Sequence, residues 1–257
     1  MAVQIYQTKT DTKPPSQRIE QKFYLLPQRI GLAYGLLQHV CHFDTEFPSE
    51  QINSLYFDTA DLDQHERSSS GELQKDKVRI RWYGKDENVS GTQTIFIELK
   101  SRRGFVSTKQ RHKLSVPAEN LSLDNLKKGI IPKTQLIDTL TDFGYFPAEP
   151  LLPTVKISYW RYRFTETLTR QRVSLDYHIR STMIVTGIGA GERNLELPGA
   201  VIEIKGTTME LPFALKSMKI LDLDWSRFSK YSSCIDSHSN EPCTVGRLSP
   251  SGKVIWQ

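Results

Sequence analysis

Apolar and polar residues alternate along much of the chain, which is the mark of strands with two unlike faces. The run Lys77-Val78-Arg79-Ile80-Arg81-Trp82-Tyr83 puts Lys77, Arg79 and Arg81 on one face and Val78, Ile80 and Trp82 on the other. Residues 94–100 set Glu98 and Lys100 against Ile95, Ile97 and Leu99. Residues 18–23 set Glu20 and Lys22 against Ile19 and Phe23, and residues 172–177 set Arg172 and Asp176 against Val173, Leu175 and Tyr177. Residues 200–205 carry Glu203 and Lys205 opposite Ile202 and Ile204. Lys109, Arg111 and Lys113 recur at spacing two, as do Arg161 and Arg163. Gly-bearing segments 84–93 and 102–105 have the length and residue types of hairpin loops. Apolar residues at helical spacing predict helices over 27–41, 122–128, 133–143 and 213–223. Residues 1–17 read as a flexible lead-in, 18–233 as one folded domain, and 234–257 as a loosely ordered tail.

On one strand, a charged face is a face in water. The same pattern on six or seven strands points elsewhere, because one open layer would need more helix than this chain offers to cover its apolar side. The fold expected is therefore α+β and β-dominated: a closed antiparallel barrel of about eight strands forming a tunnel, with helices packed outside and charged faces inside. The expected lining is rich in cations (Lys22, Lys77, Arg79, Arg81, Lys100, Lys109, Arg111, Arg161, Arg163, Arg172 and Lys205), with few acids (Glu20, Glu98, Asp176 and Glu203). Such an interior is stable only if it is wet and holds an anion. Guanidinium forks suit phosphate oxygens, and scattered carboxylates suit a hard divalent cation such as Mg²⁺ or Mn²⁺. A polyphosphate tunnel with a metal at its acidic spots follows.

Composition narrows this further. With 257 residues, Lys plus Arg at 34 and Asp plus Glu at 29, the net charge is +5, so anionic partners are welcome. The basic strands alternate with apolar wall residues, not exposed aromatics, so no nucleic acid is expected. There is no long apolar run and no signal-peptide core, so no transmembrane segment and a cytoplasmic location are expected. Three cysteines without CxxC spacing exclude a zinc ribbon. His39 and His42 beside Cys41 read as a surface cluster, and Gly187 to Gly191 as a plain turn.

Several runs, in this order, resemble the VTC domain of the triphosphate tunnel metalloenzyme (CYTH-like) superfamily. They are Arg18-x-Glu20-x-Lys22-Phe23, Leu55-Tyr56-Phe57-Asp58-Thr59, Lys77-x-Arg79-x-Arg81-Trp82-Tyr83, Phe96-Ile97-Glu98-Leu99-Lys100, Ser158-Tyr159-Trp160-Arg161, Arg172-x-Ser174-Leu175-Asp176, Ile202-Glu203-Ile204-Lys205 and Arg227-Phe228-Ser229-Lys230-Tyr231. The resemblance implies an ATP-dependent polyphosphate polymerase that uses Mn²⁺ or Mg²⁺. Its partners would be ATP, inorganic polyphosphate, and pyrophosphate or triphosphate, with a separate membrane partner left open. Residue by residue it implies Lys22, Arg79, Arg81, Lys100, Arg161 and Arg172 as catalytic phosphate holders. Lys109 or Arg111 would mark another phosphate position, and Arg227 and Lys230 a basic pair at the tunnel end. Glu203 would be the principal metal ligand, with Glu98 and Glu20 secondary. Asp176 is equally a metal ligand or a wall-holding ion-pair partner. The first glutamate of the superfamily's Glu-x-Glu-x-Lys is here Arg18, which weakens a two-metal hydrolase reading. A triphosphatase and a non-catalytic phosphate-binding module remain alternatives.

Overall fold

The alternating segments pair into one antiparallel sheet. The computed structural model describes residues 19–84, 91–104, 106–185, 194–206, 210–221 and 228–239, and a short strand pair at 247–248 and 254–255. Its main sheet contains β1 (Ile19–Leu25), β2 (Cys41–Phe43), β3 (Ser49–Asp58), β4 (Gln74–Tyr83), β5 (Thr92–Arg103), β6 (Val106–Pro117), β7 (Leu152–Glu166), β8 (Arg172–Met183), β9 (Asn194–Leu197) and β10 (Ala200–Gly206). The order is β1-β10-β8-β7-β3-β4-β5-β6, with β2 added to β7 and β9 to β8. Register brings the charged positions face to face. Arg79 lies opposite Tyr56 on one side and Glu98 on the other. Arg161 lies opposite Asp176, and Glu203 lies between Lys22 and Ser174.

The apolar positions fill two clusters on the convex side. Val78, Ile80, Trp82, Ile95, Ile97 and Leu99 pack under Leu126 of α3 (Leu123–Lys127) and Leu136 and Leu140 of α4 (Lys133–Asp142). Phe23, Val173, Leu175, Ile202 and Ile204 pack under Ala33 and Leu37 of α1 (Ile30–Val40) and Leu215 and Met218 of the 3-10 segment Phe213–Leu221. Each such side chain contributes about 1.5–3 kcal/mol on full burial, so these two clusters hold the sheet in its curl.

Two expectations need correction. The sheet curls into a half-barrel but does not close: β1 and β6 remain its edges. Alternation dictates which face a residue takes but says nothing about which edges pair. Moreover, the exposed Lys109, Arg111 and Lys113 make β6 a charged strand that resists addition of another. The gap is bridged by side chains: Lys100 Nζ of β5 lies 2.8 Å from Glu20 Oε2 of β1.

The helices, moreover, are not all outside. α5 (Lys230–His238) lies on the concave side, where Tyr231, Cys234 and Ile235 pack on Ile52, Tyr56, Val155, Ile157, Ile179 and Met183. This helix runs through the boundary expected at 233. A short helix, α2 (Asp63–Ser69), leads into β4. Among the described residues no helix is long and apolar enough to cross a membrane.

Candidate active site

On the concave side, strand alternation gathers the predicted cations around three buried carboxylates. The first is Glu98, fully buried on β5. It accepts from Arg79 Nε at 2.8 Å and pairs with Arg79 Nη2 at 2.7 Å. Lys109 Nζ lies at 2.6 Å, Arg111 Nε at 3.2 Å and Arg81 Nη1 at 4.0 Å. Burial pushes the Glu98 pKa up, but Arg79, Arg81 and Lys109 together hold it well below the usual carboxylate range. The outer cation responds in the other direction. Much of the Lys109 side chain is exposed, but its ammonium is desolvated against Glu98; this desolvation, opposed by Glu98 and reinforced by Arg79 and Arg81, lowers Lys109 to about 7. Glu98 therefore ties three strands together and presents their cations as one array. Arg79 also donates to Tyr56 Oη at 3.0 Å. Arg81 donates to Ser54 Oγ at 3.1 Å and Tyr159 Oη at 3.3 Å.

The second carboxylate is Asp176, fully buried on β8. Arg161 grips it with both prongs, Nε at 2.6 Å and Nη2 at 2.7 Å, and Lys230 Nζ of α5 completes the pair. Burial opposes ionisation, while Arg161 and Lys230 lower the Asp176 pKa. Asp176 is thus ion-paired with Arg161 and Lys230 in this structure.

The third carboxylate is Glu203 on β10. Lys205 Nζ lies 2.8 Å from its Oε1, and Arg161 Nη2 lies 3.7 Å from its Oε2. Burial raises its pKa, but Lys205, a hydrogen bond with Glu20, Arg161 and Lys22 hold it well below the ordinary range. Glu20 in turn pairs with Lys100 at 2.8 Å and lies 4.0 Å from Lys22 and 3.9 Å from Lys205.

The inner end of the chamber is the start of α5. Lys77 Nζ donates to Ser229 Oγ at 2.7 Å and to Ser68 Oγ of α2 at 2.8 Å. Burial, with Lys22, Lys100, Lys75 and Arg79 nearby, lowers the Lys77 pKa well below that of a free lysine. Lys22 Nζ donates to Phe228 O at 3.4 Å. Tyr231 stacks on Tyr56 with centroids 4.9 Å apart and donates to the buried Asp58. Asp58 also accepts from the backbone of Thr59, Gln64 and His65.

Most of the described predicted residues therefore converge, but two stand apart. Arg163 sits at the rim, bonded to Glu50 at 2.7 Å and to Phe47 O at 3.2 Å. Arg172 is exposed at the start of β8, opposite Lys205 in register. Arg227 lies outside the described residues, as does the glycine run 187–191. His39 and His42 are exposed, and Trp82 is buried in the wall. Tyr56, Tyr159, Ser68 and Ser229 were not singled out from sequence. Tyr56 shares the inward parity of Ser54 and Asp58, a signal that was available; Ser68 had none.

No metal-capable group of three or more His, Cys, Asp or Glu side chains occurs among the described residues. Glu20 and Glu203, bridged by Lys205 Nζ at 3.9 and 2.8 Å, are still a hard-oxygen donor set. It fits a divalent cation that takes its other oxygens from phosphate and water. Glu98 fits less well, because cations hold both of its oxygens within 2.8 Å, whereas Arg161 stands 3.7 Å from Glu203 Oε2. A separate open groove of about 720 Å³ lies on the convex side between Trp160, Arg180 and Asn194, away from all of these residues.

A crystal structure from Bacillus halodurans described as a "putative adenylate cyclase" superposes with a TM-score of 0.47 at 18% identity, covering 82% of this chain and 94% of that one. One from Vibrio parahaemolyticus, described in the same words, gives 0.33 at 12% identity, covering 79% and 83%. No curated protein matches. The sequence matches the VTC domain over residues 17–238, the span that contains every strand of the half-barrel and the whole of α5; the chain belongs to the VTC domain family.

Proposed function

We propose that the chain is an ATP-dependent polyphosphate polymerase, transferring the terminal phosphate of ATP to a growing inorganic polyphosphate chain. The observation that carries this reading is the chamber itself. Arg79, Arg81, Lys109, Arg111, Arg161, Lys22, Lys100 and Lys230 converge from five strands and a helix on only a few carboxylates. Phosphoryl transfer is mostly positioning and charge neutralisation. Here Arg79 and Arg81, locked by Glu98, Tyr56 and Ser54, would hold one stretch of phosphate, and Arg161 and Lys230, locked by Asp176, the next. Pre-paired guanidinium groups lose little freedom when phosphate arrives. Glu203 and Glu20 would hold Mn²⁺ or Mg²⁺, which when bound neutralises charge on bridging phosphate oxygens. The attacking group is the terminal phosphate oxygen of the acceptor chain, which needs no base at neutral pH.

The test is to incubate purified protein with ATP and Mn²⁺, with and without tripolyphosphate as primer, and to resolve products on a stained gel while measuring free phosphate. Long chains are expected. Free phosphate without chains would replace the polymerase with a triphosphatase. Neither product, together with saturable triphosphate binding, would leave a binding module.

A further inference from the structure

Ser229 occupies an unusual position. It is the N-cap of the nine-residue α5, where its Oγ accepts from Ser232 N at 3.3 Å. That same Oγ lies 2.7 Å from Lys77 Nζ and 3.2 Å from Ser232 Oγ. Lys77 is also bonded to Ser68 Oγ at 2.8 Å. The next residue is the chamber lysine Lys230, and the carbonyl just before Ser229 receives Lys22. A hydroxyl nucleophile thus stands at the inner end of a cation-lined chamber, in contact with a half-buried amine.

We propose that Ser229 is a phosphoryl acceptor, self-phosphorylated from the bound triphosphate and thereby able to start a chain when no free acceptor is present. This rests on the reading of the chamber as a triphosphate site. In the step, Ser229 Oγ attacks the terminal phosphorus. The new O–P bond forms as the bond to the leaving diphosphate oxygen breaks, and that oxygen departs with the electron pair. The hydroxyl proton passes to Lys77 Nζ, which enters the step as the neutral amine accepting from the Ser229 hydroxyl and leaves it as the ammonium. No oxidant or further reactant enters, and charge is conserved.

The product is matched to its surroundings in two ways. Lys77, burdened by neighbouring cations as a free ammonium, becomes the counter-ion of the phosphate it helped to create. The phosphate also sits at a helix N-terminus, where backbone N–H groups and the helix dipole favour an anion. Its oxygens are then placed among Lys22 and Lys230 as the next acceptor. Ser68 and Ser232 share the hydroxyl cluster, but neither combines the cap position with direct contact to Lys77.

The experiment is incubation with ATP and Mn²⁺ alone, followed by intact mass measurement and peptide mapping, with a parallel arm containing tripolyphosphate. Expected is a gain of phosphoryl mass on Ser229 in most of the protein, chased off or extended when ATP is replenished. Ser229→Asn keeps a good helix cap but no nucleophile. It is expected to lose the modification and to lower the ratio of unprimed to primed chain synthesis at least tenfold. Primed turnover with no modified Ser229, or modification on Ser68 or Ser232 instead, overturns the proposal while leaving the chamber's function intact. No ATP consumption in either arm removes both.

Discussion

Replacing Glu98 with Gln tests the idea that one buried carboxylate organises the cation array. Glu98 is fully buried and holds Arg79 through two contacts at 2.7–2.8 Å, Lys109 at 2.6 Å and Arg111 at 3.2 Å. Gln keeps the shape and loses the charge, leaving those cations to face one another. Removing one partner of a buried pair costs about 3–5 kcal/mol. At about 2–4 °C per kcal/mol for a domain of this size, Tm should fall by roughly 6–20 °C. Tripolyphosphate should then restore part of the loss, because it supplies the missing negative charge. At a hundred times its Kd it adds about 2.7 kcal/mol, and the gain should be larger in the variant than in the wild type. The pH dependence has a definite sign. Glu98 has a folded pKa below its unfolded value, so its stabilisation is complete above the unfolded pKa of about 4.3 and is lost as pH falls toward the folded value. The Tm gap between wild type and variant should therefore persist at neutral pH and narrow below about pH 4. Differential scanning calorimetry with and without tripolyphosphate measures all three. A Tm within two degrees of the wild type, or an equal ligand shift in both proteins, would refute the organising role.

Other outcomes follow from the same geometry. Glu203→Gln should lower kcat by at least about 10²-fold, the scale expected when a preorganised charge at the reacting phosphates is removed, while circular dichroism stays unchanged; full activity would place the metal elsewhere. Triphosphate binding at pH 8 should take up a proton, because phosphate re-protonates Lys109, whose pKa is lowered to about 7. Calorimetry in buffers of different ionisation enthalpy detects this, and Lys109→Arg should abolish it. Gly199, at φ +91° in the turn before β10, has backbone and the Tyr24 ring where a Cβ would stand. Gly199→Ala should therefore cost at least about 1–3 kcal/mol in urea unfolding, and a neutral result would mean that the turn relaxes freely.

Much of this architecture was legible in the residues because alternation and charge coincide. Lys77, Arg79 and Arg81 were assigned one face by parity alone, and the ladder opposite Glu98 and Tyr56 keeps them there. The same parity put Glu203 beside Lys205, and the ladder then sets it opposite Lys22. Edge pairing was not legible, since no side-chain pattern distinguishes a closing strand from the charged edge that β6 is. Nor was α5. Its polar Ser232, Ser233, Asp236 and His238 are buried along with Tyr231, Cys234 and Ile235, so the segment lacks the apolar stripe of a surface helix. It is held by polar partners distant in sequence, His65 of α2 to Asp236 at 3.0 Å and Ser181 of β8 to His238 at 3.0 Å, which no local window contains. The sequence marked Lys230 as basic, but only the fold shows it reaching Asp176 beside Arg161.

The half-barrel chamber as the phosphate site is tested most directly by titrating tripolyphosphate into the wild-type protein and Arg161→Ala by isothermal calorimetry across a range of salt concentrations. One ligand should bind per chain, weakening as salt rises, and Arg161→Ala should lose at least tenfold in affinity. Binding that is absent, many-sited, or indifferent to Arg161 would contradict a phosphate site between β4, β7 and α5.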